Sequence, residues 1–122
     1  MAQGSIMHPN ELLGVDRPIH SANGLYTFVF QGDGNLVLYK NTSDRGRIAL
    51  WASGTNGKVP VGVCIMQGDG NLVIYDDYRK PIWSSKTSGS PGSQLVVQDD
   101  GNVVIYQTDR KAVWSTHTMQ PK

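Results

Sequence analysis

Five side chains that suit a polyhydroxylated ligand recur at every second position of the sequence in three places. Each set is spaced Gln-x-Asp-x-Asn-x-Val-x-Tyr. The amides donate and accept hydrogen bonds, the carboxylate accepts them, the tyrosine offers a hydroxyl, and the valine supplies a small apolar surface. This mixture matches a sugar ring, whose hydroxyl groups need both donors and acceptors. The sets are Gln31, Asp33, Asn35, Val37 and Tyr39; Gln67, Asp69, Asn71, Val73 and Tyr75; and Gln98, Asp100, Asn102, Val104 and Tyr106.

A turn in the middle of each set would bring its members together. On one straight strand they would span about 26 Å, at about 3.3 Å per residue, which is too far for one small ligand. If residues 33–35 form a three-residue loop, Gln31 faces Val37 across two antiparallel strands. Asn35 suits the last loop position because asparagine tolerates a positive φ. A two-residue loop would divide the set between two faces, so the sequence predicts an odd loop and a shallow pocket of hexose width.

Strands in three internal repeats are the elements that must position these side chains. β-Branched and aromatic runs precede each glutamine and follow each asparagine, and a polar turn then leads to a tryptophan. No segment has helical periodicity with caps, so the sequence predicts an all-β fold of three antiparallel sheets related by a pseudo-threefold axis. One tryptophan per repeat is predicted to fill the centre where the sheets meet, rather than to stack on sugars. The three are Trp51, Trp83 and Trp114.

The composition is that of one globular domain without a strongly charged surface. The chain has 122 residues, 39% hydrophobic and 17% charged, and its formal net charge is +1. Scattered basic residues argue against nucleic acid or an anionic membrane surface as the main partner, and the lack of a long apolar run argues against membrane insertion. The chain as given has no signal peptide or transmembrane run, so we expect a cytoplasmic protein or export by an unconventional route. Cys64 is the single cysteine, which excludes an intrachain disulfide.

The threefold motif, with a tryptophan strand after each copy, resembles the monocot (bulb-type) mannose-binding lectin family. The resemblance covers residues 11–117 and leaves residues 1–10 and 118–122 as tails. It implies a β-prism II fold, in which three four-stranded sheets surround a tryptophan-lined core. It also implies up to three sites for α-D-mannose without a metal or other cofactor, acting multivalently on mannose-rich glycans or glycoproteins, as in agglutination. The repeats would be at about 11–56, 57–88 and 89–117.

The resemblance also implies a role for each residue type of the motif. In the family, the aspartate and asparagine bind the axial O2 of mannose, the glutamine binds O3, the tyrosine binds O4, and the valine contacts C3 and C4. All fifteen positions match. Plant members usually have a disulfide where this chain has Gly34 and Gly62, and Cys64 lies elsewhere, which points to a microbial or animal relative. Members often form homodimers by exchanging C-terminal strands, and residues 113–122 would be the segment exchanged here.

Other interpretations explain less of the sequence. Turn chemistry alone accounts for the aspartate and asparagine, but not for the recurrent glutamine and tyrosine. An enzyme is disfavoured because a glycosidase usually needs two carboxylates; each pocket repeats one, and Asp99 is predicted to point to the opposite face. A calcium site would also need more carboxylates, and His8, His20 and His117 do not recur with the repeats. The alternative function is a protein-binding or bacteriocin-type module in which sugar binding is reduced or lost.

Overall fold

The computed structural model describes residues 2–57 and 61–121, and every regular element in this part of the chain is a β-strand. Met1, residues 58–60 and Lys122, which fall in the predicted N-terminal tail, second repeat and C-terminal tail, lie outside it. No helix in the described ranges is long and apolar enough to cross a membrane. The strands are β1 (Ile6–Met7), β2 (Glu11–Leu13), β3 (Ile19–His20), β4 (Tyr26–Phe30), β5 (Leu36–Thr42), β6 (Gly46–Ala52), β7 (Val61–Met66), β8 (Leu72–Asp76), β9 (Pro81–Ser84), β10 (Gln94–Val97), β11 (Val103–Tyr106) and β12 (Ala112–Ser115).

Three antiparallel four-stranded sheets contain these strands, in the orders β1-β10-β11-β12, β2-β7-β8-β9 and β3-β4-β5-β6. Each repeat supplies a three-stranded meander, and the N-terminal segment adds the fourth strand to every sheet. The predicted N-terminal tail is therefore wrong for residues 2–10, because Met7 is fully buried and Ile6 pairs with Val96. Residues 11–13 belong to the sheet of the second repeat, not the first. The outer strand of each meander has backbone groups that need a partner, and this segment provides it.

The hydrophobic core lies between the sheets, where alternate residues of each strand point inward. In the first repeat, Phe28, Phe30, Leu36 and Leu38 are fully buried, and residues of the other repeats join the same cluster. The three tryptophans pack against this cluster and edge to face against one another, with ring centroids 5.5, 5.6 and 5.9 Å apart. Their predicted central position is confirmed. Each is only partly buried, because its strand lies at the edge of a sheet.

The C-terminal residues continue the pseudo-threefold pattern and do not form a tail. After the first tryptophan strand, the chain returns to the hairpin loop of its own motif, where Gly57 N donates to Asp33 O at 2.8 Å. In the third repeat Gln120 N donates to Asp100 O at 2.7 Å in the same way. The predicted tail is therefore wrong for residues 118–121. These residues support the third loop as the inter-repeat segments support the other two.

Candidate functional site

The first motif folds as a hairpin whose three-residue loop is formed by residues 32–34. Gln31 N donates to Asn35 O at 2.8 Å and closes the loop, and Val29 lies opposite Val37. The odd loop length agrees with the prediction, but the predicted position is wrong, because Gln31 faces Asn35 and not Val37. The second and third motifs close in the same register.

Glycine at the last loop position causes this displacement. Gly34, Gly70 and Gly101 have φ angles of 91°, 95° and 91°, a region in which other L-residues are strained. Each glycine N–H also donates to the carbonyl of the motif's glutamine, at 2.9, 3.0 and 3.1 Å. The result is a turn followed by a glycine bulge. The positive φ predicted for Asn35 is therefore taken by Gly34.

The valine of each motif forms the floor of a shallow site on the outer face of its sheet. Leu36 and Leu38 belong to the core, so Val37 between them points away from it. Val37 is nevertheless only 3% exposed, as are Val73 and Val104. We attribute this burial to the glutamine and tyrosine side chains of the motif, which join on the same outer face.

The glutamine and tyrosine of each motif are hydrogen-bonded to each other. In every pair the side-chain Nε2 of glutamine donates to the tyrosine hydroxyl oxygen. Because the tyrosine oxygen accepts this bond, the hydroxyl proton remains available for a ligand. The side-chain amide oxygen of the glutamine is likewise available as an acceptor. This half of the site is therefore formed without a ligand. The pairs are Gln31–Tyr39 at 2.9 Å, Gln67–Tyr75, and Gln98–Tyr106 at 2.6 Å.

Each aspartate uses one carboxylate oxygen in its own turn and exposes the rest of the group. Oδ1 of Asp33 accepts the backbone N–H of Asn35 at 2.9 Å, which is an Asx turn. Asp69 and Asp100 make the equivalent bonds at 3.0 and 2.9 Å. All three side chains are exposed, and Oδ2 has no hydrogen-bond partner in the described part of the chain. Each site thus offers one carboxylate oxygen at a fixed place.

The asparagine side chain is held by a pair of hydroxyl groups that sequence reasoning missed. Asn35 Oδ1 accepts hydrogen bonds from Ser53 Oγ at 3.2 Å, Gly54 N at 3.0 Å and Thr55 N at 3.2 Å. Thr55 Oγ1 lies 2.7 Å from Ser53 Oγ and donates to Gly34 O at 2.6 Å. The amide oxygen is fully used by these donors. The amide NH2 is consequently the part of Asn35 that can serve a ligand.

The same hydroxyl clamp recurs in the other repeats, and its signal was present in the sequence. After each tryptophan the chain reads WASGT, WSSKT and WSTHT, with a hydroxyl residue, one variable residue and a threonine. The first hydroxyl also accepts the N–H of the residue that begins the motif's second strand. Each tryptophan strand is therefore tied to the site of its own repeat. The clamps are Ser53 and Thr55, Ser85 and Thr87, and Thr116 and Thr118.

The N-terminal segment fixes the three hairpin loops from outside. In the first two loops its side-chain oxygens accept a glycine N–H: Asp16 Oδ1 from Gly32, and Asn10 Oδ1 from Gly68, both at 3.0 Å. A Cβ on Gly32 would lie 3.0 Å from the Asp16 carboxylate, so a larger residue would crowd this contact. In the third loop Asp99 Oδ1 accepts Asn23 N at 2.8 Å. The Asp99 carboxylate thus holds the loop and is not a second acid group of the site.

Ionisable groups outside the motifs serve local structure. The backbone N–H and the ring of His8 both contact the Glu11 carboxylate, at 2.6 and 2.9 Å, and these hydrogen bonds lower the pKa of Glu11. His117 Nδ1 lies 3.3 Å from Ser115 Oγ. Within residues 2–57 and 61–121, no three His, Cys, Asp or Glu side chains lie close enough together to hold a metal ion.

All fifteen predicted side chains thus fall into three equivalent arrangements, which we call cradles. In each cradle the glutamine and tyrosine are bonded directly, the turn joins the aspartate to the asparagine, and the valine lies beneath them. A cradle offers an acceptor carboxylate, a donor amide, an acceptor amide carbonyl and a phenol proton around a small apolar surface. That set can bind several hydroxyl groups of one small molecule at once.

Matches to this chain are found among solved structures; a scan against protein-family models and a search of curated proteins gave none. A monomeric monocot mannose-binding lectin from Gastrodia elata is 40% identical over 94% of this chain and 98% of its own, with a TM-score of 0.83. The mannose-specific agglutinin from snowdrop (Galanthus nivalis), complexed with methyl-α-D-mannoside, is 39% identical over 96% and 99%, with a TM-score of 0.71. A Marasmius oreades lectin is 32% identical over 95% and 92%, with a TM-score of 0.81.

Three four-stranded sheets around a tryptophan cluster, with one cradle on the outer face of each sheet, define a lectin with the β-prism II fold. Lectins of this kind are not enzymes. The sequence identities over nearly the full length of each relative extend the likeness beyond the fold. The chain belongs to the monocot mannose-binding lectin family.

Proposed function

We propose that this protein is a metal-independent lectin that binds α-D-mannose and mannose-rich glycans through its three cradles. The observation that carries the proposal is that one hydrogen-bond arrangement recurs three times. In each copy the same polar groups of the motif remain available to bond a ligand. The snowdrop agglutinin, whose structure holds methyl-α-D-mannoside, supports mannose as the sugar.

The groups left over in the first cradle suit the roles that family resemblance assigns. Asp33 Oδ2 accepts from one sugar hydroxyl while the Asn35 amide donates to it, which fixes the direction of the axial O2 group. The side-chain amide oxygen of Gln31 accepts a hydrogen bond from O3–H, and the Tyr39 hydroxyl donates its proton to O4. Val37 contacts the C–H surface between them. The equivalent residues play the same roles in the second and third cradles.

This arrangement discriminates between sugars through unpaired polar groups. A sugar with an equatorial O2 leaves the aspartate and asparagine of a cradle without their shared hydroxyl. A buried or partly buried polar group that loses its partner costs about 1–3 kcal/mol, so such sugars bind more weakly. Galactose, whose O4 points elsewhere, loses the contact to the tyrosine in the same way.

One cradle is expected to bind weakly, and three cradles on different faces compensate. A monosaccharide of about twelve heavy atoms at about −0.3 kcal/mol per atom gains roughly −4 kcal/mol, which is a millimolar dissociation constant. Several cradles on one branched glycan, or on neighbouring glycans, raise the avidity without new contacts. Agglutination of mannose-rich surfaces follows from this geometry.

Homodimer formation by exchange of C-terminal strands would have to replace contacts that the chain makes with itself. The C-terminal strand β12 is paired with β11 of the same chain, and Gln120 N donates to Asp100 O. We therefore propose a monomer with three sites, in keeping with the monomeric lectins of Gastrodia elata. Light scattering tests this proposal: a molar mass of two chains would favour strand exchange instead.

A titration followed by nuclear magnetic resonance tests the sugar-binding proposal. Methyl α-mannoside is added in EDTA, and methyl α-galactoside is the matched control. Saturation at millimolar mannoside, with shifts in the amide resonances of all three cradles and none with galactoside, is the expected result. No shift with either sugar would overturn the proposal and favour the protein-binding or bacteriocin-type alternative.

A further inference from the structure

The two ends of the prism differ in how the core is closed. Every sheet has a strand of the N-terminal segment at one edge and a tryptophan strand at the other, so these strands lie at opposite ends of the molecule. At the first end Met7, Leu13 and Ile19, one from each N-terminal strand, are at most 1% exposed and close the core. At the second end the three tryptophans are only partly buried. The core is therefore closed at one end and open at the other.

A cavity of about 690 Å³ lies at the tryptophan end. We call it the end cavity; Trp51, Trp83 and Trp114 line it together with the serines that follow two of them, Ser84 and Ser115. Its volume is within the range of about 300–1,000 Å³ that is typical of small-molecule sites, and aromatic walls with a few polar groups are typical too. No residue of the three motifs lines it. The end cavity is therefore separate from the cradles.

The tryptophan rings offer a place for another aromatic ring. They meet at interplanar angles of 68°, 74° and 82°, so the cluster presents ring edges beside ring faces. Aromatic rings prefer edge-to-face contact because the positive edge of one ring lies against the negative face of another. A sugar instead stacks its C–H surface on one flat ring face, which rings at these steep angles provide poorly. A planar aromatic group is therefore the better fit for the end cavity.

Two basic side chains border the end cavity at places where the backbone favours glycine. The third residue after each tryptophan has a positive φ, which is 73° at Gly54, 58° at Lys86 and 55° at His117. Only the first repeat has glycine here, the residue that adopts this conformation without strain. In the other two repeats the strained position has a basic side chain, and Lys86 and His117 both line the cavity.

The charge at the end cavity is uncompensated. Its lining among the described residues includes no aspartate or glutamate, and neither basic residue forms a salt bridge within that part of the chain. His117 Nδ1 contacts Ser115 Oγ, which leaves Nε2 as the ring nitrogen that can serve a ligand. An anionic group is the complement of this wall. A carboxylate can accept charge-assisted hydrogen bonds from Lys86 and from His117.

We propose that the end cavity is a binding site for an aromatic carboxylate. The ring of the ligand lies against the three tryptophans, and its carboxylate is bonded by Lys86 and His117. The site is independent of the mannose binding proposed for the cradles, because it uses no residue of the motifs. A neutral aromatic molecule keeps only the ring contacts and binds more weakly.

The test titrates the full chain with 3-phenylpropionate, and 3-phenylpropanamide is the matched ligand with the same ring and no charge. All three tryptophans of the chain line the end cavity, so their indole N–H resonances report this site directly. Expected are saturable shifts of these resonances with the carboxylate, at an affinity about tenfold above that of the amide, the scale of one hydrogen bond to a charged group. Absence of indole shifts with the carboxylate, or equal affinities for the two ligands, would overturn the proposal.

Glycine variants separate the basic side chains from their backbone. Lys86→Gly/His117→Gly introduces the residue of the first repeat at both places, so the positive φ is retained without strain. We expect this variant to lose the preference for the carboxylate and to keep the weaker affinity for the amide. Arg79→Gly/Arg110→Gly is the matched control. It also removes two basic side chains from positions of positive φ, at 66° and 70°, and neither residue lines the end cavity.

The control variant is expected to bind both ligands as the wild type does. An undiminished preference in the first variant, or an equal loss in the control, would overturn the proposal. Two other occupants are outcomes of the same experiment. Indole shifts with methyl α-mannoside that 3-phenylpropionate reverses would make the end cavity a sugar site, and indole shifts on dilution of the protein alone would mean that a second copy covers the tryptophans. Either result would overturn the aromatic carboxylate as the ligand.

Discussion

Gln31 and Tyr39 are eight residues apart in the chain, yet the glutamine Nε2 donates to the tyrosine hydroxyl at 2.9 Å. The same contact joins Gln98 to Tyr106 at 2.6 Å. Turn formation requires neither residue, so this contact explains why both recur wherever the Asp-Gly-Asn turn does. It holds in place two groups that are proposed to bind the sugar, before the ligand arrives. A preorganised site loses less conformational entropy on binding, which matters most for a ligand as small as a hexose.

Removal of the three tyrosine hydroxyls should weaken sugar binding at every cradle and leave the fold intact. In the variant Tyr39→Phe/Tyr75→Phe/Tyr106→Phe, each cradle loses the donor for O4, and the glutamine amide loses its partner. We expect about tenfold weaker binding of methyl α-mannoside at each site, measured by the same titration. Tyr78→Phe is the matched control, since Tyr78 is 79% exposed and outside the motif. An unchanged affinity in the triple variant would contradict the role given to the phenols.

Asparagine and aspartate of one cradle should respond differently to substitution. Asn35 Oδ1 accepts from three donors, so Asn35→Ala leaves these groups unpaired and should cost about 2–3 kcal/mol of unfolding free energy. Asp33→Asn keeps the Oδ1 acceptor for Asn35 N and should change stability by less than about 0.5 kcal/mol, while it weakens mannoside binding at the first cradle. Urea unfolding and the titration separate the two effects. Equal losses of stability would show that Asp33 is mainly a structural residue.

Periodicity and repetition were sufficient to predict the three sheets and the central tryptophans. The predicted loop was displaced by one residue. Glycine and asparagine both tolerate a positive φ, and the backbone has its positive φ at Gly34 rather than at Asn35. The hydroxyl clamp was missed because Ser53 and Thr55 follow a tryptophan strand, where small polar residues are also typical of a strand end. Only the recurrence of the hydroxyl-x-Thr pattern in all three repeats distinguishes the clamp from an ordinary strand end.

The N-terminal strands could not be predicted from local sequence. β1 is formed by Ile6 and Met7 alone, which is too short to show alternation. Its extended conformation is imposed by pairing with β10, which lies about ninety residues away in the chain and would otherwise have an unpaired edge. The same holds for residues 11–13, which pair with the distant strand β7. Long-range pairing of this kind leaves no periodic signal in the segment that provides the strand.

Met7 should contribute strongly to stability even though it lies in a segment that the sequence suggested was a tail. Its side chain is fully buried in the common core, so Met7→Ala should lower the unfolding free energy by about 2–5 kcal/mol. Met119→Ala is the matched control near the other end of the chain. Met119 is 66% exposed, and its substitution should change stability by less than about 0.5 kcal/mol. Urea unfolding of both variants measures the difference. Equal, small effects would mean that β1 is detached from the prism in solution.

Cys64 should make stability depend on pH in the alkaline range. Complete burial raises the pKa of its thiol to about 12, because the thiolate is poorly solvated in the core. The unfolded chain releases this proton near the ordinary thiol pKa of 9.0, so between about pH 9 and 12 the folded state binds more protons than the unfolded state. The contribution is fully present below pH 9 and is lost as the pH rises, with a limiting slope of about 1.4 kcal/mol per pH unit.

The slope is measured as a difference between the wild type and Cys64→Ala, because tyrosines and lysines titrate in both. The variant should be less stable at neutral pH, owing to the small cavity it creates in the core. Its unfolding free energy should then fall less steeply above pH 9 than that of the wild type. The native thiol should also react with a thiol reagent only as fast as the chain unfolds, since the side chain is 0% exposed. Fast reaction of the folded protein at pH 8, with parallel pH profiles for the two proteins, would place Cys64 at a mobile surface and contradict its position in the core.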